Sequence, residues 1–156
     1  MIPFENVAII GSGNVAYTYS KVLKNNGINL QYIFVRNQGR LSEVEKLFGV
    51  KTICDYETLF SCDLIIIAVK DDAIEEVAAK LQNYKGVLVH TSGTQNITAL
   101  QSVDNYGVIY PLQTLTKDYD VDFKSVPVLI NASSFEVKEK LRCIAEKMSD
   151  VVKECS

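Results

Sequence analysis

No apolar run in this chain approaches the about 20 residues needed to span a bilayer, so a membrane partner is not expected. Basic runs are missing too, and the net charge is −3; the clustered Lys and Arg that draw nucleic acid are not there. Cys54, Cys62, Cys143 and Cys155 form no CxxC pair and stand too far apart for a metal knuckle. They read as free thiols of a reducing compartment, and no metal is expected. The opening Met1-Ile2-Pro3-Phe4-Glu5 lacks the charged and apolar regions of a signal peptide, so the fold is expected to begin at once. These absences point to a cytoplasmic protein whose partners are small molecules.

What is present suits one soluble domain. The 156 residues are 47% hydrophobic and 22% charged, enough for a single core that buries roughly two thirds of the unfolded chain's surface. Short apolar runs alternate with amphipathic stretches, the rhythm of parallel strands joined by helical crossovers. The fold class expected is α/β, a Rossmann-like, doubly wound, mostly parallel sheet of about 6–8 strands with helices on both faces. Strands are expected at 7–10, 30–35, 51–53, 64–69, 87–89 and 107–110, with an outer strand at 126–130, because Pro127 cannot donate to a central ladder. Val151-Val152 adds a last one. Helices are expected at 14–25, 42–48, 55–60, 72–81 and 134–148. Ser42 and Glu45 have the spacing of a capping box, and Asp55 that of an N-cap.

The first strand runs into Gly11-Ser12-Gly13-Asn14-Val15-Ala16, which opens the first helix. A GxGxxA match is weak by itself, but between a strand and a helix it has a mechanism. Gly11 permits the tight turn, Gly13 lets the backbone approach a pyrophosphate, and Ala16 keeps helix and sheet close. The helix N-terminus then offers free N–H donors and a positive dipole end to the phosphates. The loop reads as a dinucleotide cradle.

At the end of the second strand, 20 residues after Ala16, NAD-binding folds usually carry an acid that accepts from the ribose hydroxyls. Here stands Arg36, followed by Asn37, Gln38 and Arg40. A carboxylate would repel the extra phosphate of NADP, whereas a guanidinium pairs with it in a bidentate fork. The segment therefore reads as a 2′-phosphate pocket and the cofactor as NADP(H); the plainer alternative makes Arg36 and Arg40 solvated loop charges. Enzymes of S-adenosylmethionine share such a loop but want the same acid, and a nucleotide triphosphatase would need GxxxxGK followed by Ser or Thr. Both are missing.

Ligands of doubly wound sheets collect beyond the carboxyl ends of the strands. Ala68, Val69 and Lys70 follow the fourth strand and are placed to line the cofactor, while Asp71 and Asp72 read more simply as caps of the next helix. His90 and Ser92 follow the fifth strand, and Gln113 the sixth. His90, the only histidine, is the candidate for proton transfer to a carbonyl or imine, with an equal claim to a structural place at the strand end. Ser92 and Gln113 are candidates for orienting hydrogen bonds, or for structural ones.

Gly11 to Ala16, Leu64 to Asp72, His90-Thr91-Ser92-Gly93 and Tyr110-Pro111-Leu112-Gln113-Thr114 together resemble an uncharacterised family of provisionally named NADP oxidoreductases. That family is similar to 6-phosphogluconate dehydrogenase, pyrroline-5-carboxylate reductase and deazaflavin-dependent NADP oxidoreductases. The resemblance covers nearly the whole chain. It implies a Rossmann-type domain over 1–156, hydride transfer with NADP, and a helical C-terminal domain that completes the substrate pocket and a homodimer. The chain stops at Ser156, about where that helical domain is expected to begin, so no catalytic lysine of that part is assigned here. Two functions are carried forward: an NADP-dependent oxidoreductase domain, and a non-catalytic NADP(H)-binding or sensing module.

Overall fold

The computed structural model describes residues 3–155; Met1, Ile2 and Ser156 lie outside the described residues. Six strands lie side by side and parallel: β1 (Val7–Ile10), β2 (Leu30–Phe34), β3 (Thr52–Ile53), β4 (Leu64–Ile67), β5 (Val87–His90) and β6 (Asn105–Pro111). Two more, β7 (Val128–Ala132) and β8 (Val152–Glu154), complete an eight-stranded sheet of order β3-β2-β1-β4-β5-β6-β7-β8. β7 runs antiparallel to β6, and β8 runs parallel to β7. This is a Rossmann-like α/β fold.

Helices α1 (Asn14–Asn25), α2 (Leu41–Phe48), α3 (Tyr56–Leu59), α4 (Ile74–Ala79) and α5 (Phe135–Met148) cover both faces. Ala16, Tyr19 and Leu23 of α1, Val44 and Phe48 of α2, and Val137, Leu141, Ile144 and Met148 of α5 pack with Val7 and Ile9 on one face. Leu59 of α3 and Ile74, Val77 and Ala78 of α4 pack with Ala8 and Ile10 on the other. Alternate residues of one strand thus feed two cores, and Leu64 to Ile67 are all fully buried, as a strand covered on both faces requires. Each such Leu or Ile contributes roughly 1.5–3 kcal/mol by leaving water.

The chain departs from expectation where local turns override a sequence signal. The capping box at Ser42 and Glu45 does not form. A 3₁₀ turn at Gln38–Arg40, capped by Asn37 accepting from the Gly39 N–H, runs directly into α2 and places Ser42 inside the helix. Glu45 accepts instead from the N–H of Thr52 at 2.9 Å. Asp71 and Asp72 make no side-chain cap, because they lie within the 3₁₀ turn Asp71–Ala73 that precedes α4. Pro127 stands just before β7, so it costs the ladder nothing, and β7 lies inside the sheet with β8 at its edge. The expected cap at Asp55 forms, accepting the N–H of Thr58, and Ser134 caps α5 in the same way by accepting from Val137.

Candidate functional site: a cleft at the sheet's switch point

β1 and β4 are neighbours, and the crossover from β1 runs to β2 on one side while that from β4 runs to β5 on the other, so a crevice opens beyond the carboxyl ends of these strands. The crevice is an open cleft of about 1270 Å³. Gly11, Ser12, Gly13, Asn14 and Val15 line it from the first loop, Arg36, Asn37 and Arg40 from the second, and Ala68, Val69 and Lys70 from the fourth. Gln113 lines the end beside β6. Ala16 is not in the lining; it is fully buried beneath the loop.

The two glycines of the loop answer different demands. Gly11 has φ +123°, and a Cβ on it would sit 2.2 Å from the carbonyl oxygen of Ala68. It is required by the close approach of β1 and β4. A Cβ on Gly13 would meet no protein atom within 4 Å. The protein's own packing leaves that position free, as a cradle for a closely approaching phosphate needs. No acidic residue occupies the first turn of α1 and no side chain caps it, so its N-terminal donors and positive dipole end are not neutralised from within the helix. The loop fits a pyrophosphate.

The second loop places two guanidiniums at one end of the cleft. Arg40 donates to Ser12 Oγ at 3.2 Å and to Glu43 at 3.3 Å. Arg36 pairs with Glu76 of α4 at 3.1 Å. Tyr56, which reasoning from sequence passed over, lines the same end with its ring 4.4 Å from that of Phe34. Partial burial raises the Tyr56 hydroxyl above the usual phenol value, with the Arg36 charge opposing and Glu76 adding. Ala73 and Val77 add apolar wall beside it. No single motif marks these positions; Tyr56, Ala73 and Val77 read as ordinary members of short helices.

His90 and Ser92 are not among the residues that line the cleft. His90 is fully buried and does not line the cleft, because the alternation along β5 turns it away and gives the rim to Thr91. Its Nδ1 accepts from the N–H of Ser92 at 3.0 Å, so Nε2 carries the proton and donates to the carbonyl of Asn96 at 3.3 Å. Burial lowers its pKa, against the opposing effects of the Asn96 bond and Asp71. With both ring nitrogens engaged, His90 holds its loop. Ser92 Oγ accepts from the N–H groups of Thr94 and Gln95 at 3.1 Å each and closes the same turn. Thr94 is tied in turn to Asp71, joining the loops after β5 and β4. A Cβ on Gly93 would lie 2.4 Å from the ring of Tyr110, so this glycine lets the Tyr110 ring settle at the cleft wall.

Fold and cleft together define a Rossmann-type domain with its crevice at the switch point of the sheet. The model of the family described as NADP oxidoreductase, coenzyme F420-dependent, matches residues 6–91, and the chain belongs to that family. A provisionally named NADP oxidoreductase from Bacteroides fragilis is similar over the whole chain, at 28% identity and TM-score 0.87. At 19% identity, a 1-pyrroline-5-carboxylate reductase from Streptococcus pyogenes shares the fold over 97% of the chain with TM-score 0.79. At 16% identity, so does a prephenate dehydrogenase from A. aeolicus crystallised with NAD+, over 97% with TM-score 0.80. The chain spans 62%, 58% and 60% of those three proteins respectively. Among curated proteins, none matches this sequence. Among the described residues, no helix is long and apolar enough to cross a membrane.

Proposed function

We propose that the cleft binds NADP(H) and that residues 1–156 form the cofactor-holding part of an oxidoreductase acting on a small molecule. The observation that carries this reading is the pairing of a Gly13 left free by the protein's own packing with Arg36 and Arg40 at one end of the same cleft. The α1 N-terminus and the Gly11–Ala16 loop would hold the pyrophosphate, with Ala16 acting by packing. Arg36 and Arg40 would hold the 2′-phosphate, and Asn37 fixes the backbone between them through its bond to Gly39. Phe34, Tyr56 and Val77 offer the adenine an apolar seat. Ala68, Val69 and Lys70 border the middle of the cleft, while Thr91 and Gln113 bring hydrogen-bonding groups to its other end.

When bound, the cofactor supplies hydride transfer at its nicotinamide ring. Gln113 is the residue at the β6 end of the cleft with a free side-chain amide for orienting a substrate. With His90 engaged in its own loop, proton delivery falls to a group outside residues 3–155 or to solvent. The similar proteins are longer than this chain, which supports a pocket completed by a further part, helical and dimer-forming on the family resemblance. The free thiols of Cys54, Cys62, Cys143 and Cys155 suit a cytoplasmic setting, and the acidic balance offers nucleic acid no attraction. Calorimetric titration with NADPH and NADH tests the cofactor assignment. A clear preference for NADPH that Arg36→Glu abolishes is expected, and equal affinities or an indifferent variant would overturn it.

A further inference from the structure

We infer that Glu76 is a second specificity-determining residue of the cleft, with opposite effects on a 2′-phosphorylated and an unphosphorylated dinucleotide. This rests on the dinucleotide reading above and deepens it. Ile74, Val77 and Ala78 turn α4's apolar side to the core, while Glu76 stands in its first turn on the cleft side, where its carboxylate reaches Arg36 at 3.1 Å. The two side chains come from different elements across the cleft. Glu43, the partner of Arg40, does not line the cleft, so Glu76 is the glutamate that a ligand bound beside Arg36 must face.

Both members of the pair are well exposed, 70% for Arg36 and 62% for Glu76. An exposed ion pair is weak and exchangeable. A phosphate presents a doubly charged, bidentate partner that displaces a carboxylate from a guanidinium. Only one N–H of Arg36 is engaged by Glu76, so a 2′-phosphate can take the rest of the guanidinium fork, and the carboxylate beside it, held or released, is a like charge near the phosphate. With an unphosphorylated ribose the balance reverses. The 2′-hydroxyl is a donor, and a carboxylate accepting from it is the device that NAD-binding folds place at the end of the second strand. Here the acid comes from α4 and shares the position with an arginine. The cleft end thus carries both halves of a discriminator, Arg36 for the phosphate and Glu76 against it.

The test is titration of wild-type protein and Glu76→Gln with NADPH and with NADH, alongside thermal unfolding of both proteins without ligand. Glu76→Gln keeps the shape and removes the charge. It is expected to tighten NADPH by about two- to fivefold, the range set by an exposed pair, and to weaken NADH by a similar factor, with the unfolding midpoint unchanged. Opposite signs are decisive, because a structural loss would weaken both ligands together. Equal or absent shifts overturn the inference. A wild-type protein that prefers NADH would sink the NADP assignment, yet an opposite-signed shift in Glu76→Gln would still uphold this role for Glu76. Failure of the wild type to bind either dinucleotide overturns both.

Discussion

Lys117 and Ser12, 105 residues apart in sequence, are joined by a hydrogen bond in which the Lys117 ammonium donates to the Ser12 carbonyl at 2.9 Å. The Lys117 N–H also donates to Asn14 Oδ1 at 3.3 Å, so a loop arriving from β6 sits on the start of α1. Further along, Lys21 and Asp120 pair at 2.6 Å, which raises the lysine pKa and lowers that of the aspartate. A cation at a helix N-terminus opposes the dipole unless an anion is bound there. Lys117→Met is expected to weaken NADPH and NADH alike, by about two- to fivefold. Unequal losses in calorimetric titration would place its effect away from the pyrophosphate.

Gly11 and Gly13 should separate stability from binding. Gly11→Ala drives a Cβ against the Ala68 carbonyl at a left-handed φ, and a loss of about 1–3 kcal/mol in urea denaturation is expected. Gly13→Ala meets nothing and should stay within about 1 kcal/mol of wild type, while dinucleotide affinity falls by a factor of ten or more as the methyl enters the phosphate's space. A Gly13→Ala protein that binds normally would remove the pyrophosphate from this loop.

His90 gives the fold a dependence on mild acid. Its pKa lies below the ordinary 6.5 in the native state, chiefly through burial. The unfolded chain therefore takes up a proton before the native one does. The His90 contribution is fully present above the unfolded value and is lost as pH falls from about 6.5 to the native value, where it levels off. Denaturation midpoints measured between about pH 8 and about pH 5 should fall less steeply in His90→Gln than in wild type. Equal slopes would assign the acid sensitivity elsewhere.

Tyr19 is fully buried, donates its hydroxyl to the Ile109 carbonyl at 2.8 Å, and meets the Phe123 ring edge-on at 5.8 Å. Burial holds the phenol far above its usual pKa. Tyr19→Phe leaves a buried carbonyl without this partner and should cost about 1–3 kcal/mol, read by urea denaturation, with dinucleotide affinity unchanged. A stability loss near zero would show that the carbonyl finds a substitute.

Periodicity made the architecture legible: continuous apolar runs such as Leu64 to Ile67 became central strands, and the stripe from Val137 to Met148 became α5. Signals that depend on one or two side chains were less secure. Ser42 and Glu45 have capping-box spacing, yet the turn at Gln38–Arg40 starts the helix sooner and gives Glu45 another partner. The cleft's glycines, Arg36 and Arg40 were legible because their spacing from a strand fixes where they fall. Glu76, Tyr56 and Lys117 were not, since their place in the site comes from elements meeting in space. His90 was legible only as a pair of alternatives: its chemistry is conspicuous in sequence, but the alternation of β5 decides which way it points.

The segment from Leu112 to Pro127 leaves and rejoins the sheet at adjacent rungs, with the N–H of Leu112 bonded to the carbonyl of Pro127 at 2.8 Å and Pro111 opposite Val128. Such an Ω-shaped excursion is anchored at its neck, so its length is uncoupled from the register of β6 and β7. Lengthening it costs the slowly growing entropy of loop closure and any of the Lys117–Ser12 and Lys21–Asp120 contacts that the insertion displaces. Residues inserted between Thr116 and Asp122 would alter what the dinucleotide's surroundings present to a second molecule while leaving every strand where it is. The domain therefore has a replaceable part built against a fixed one, a natural point of entry for recombining this scaffold with new ligands.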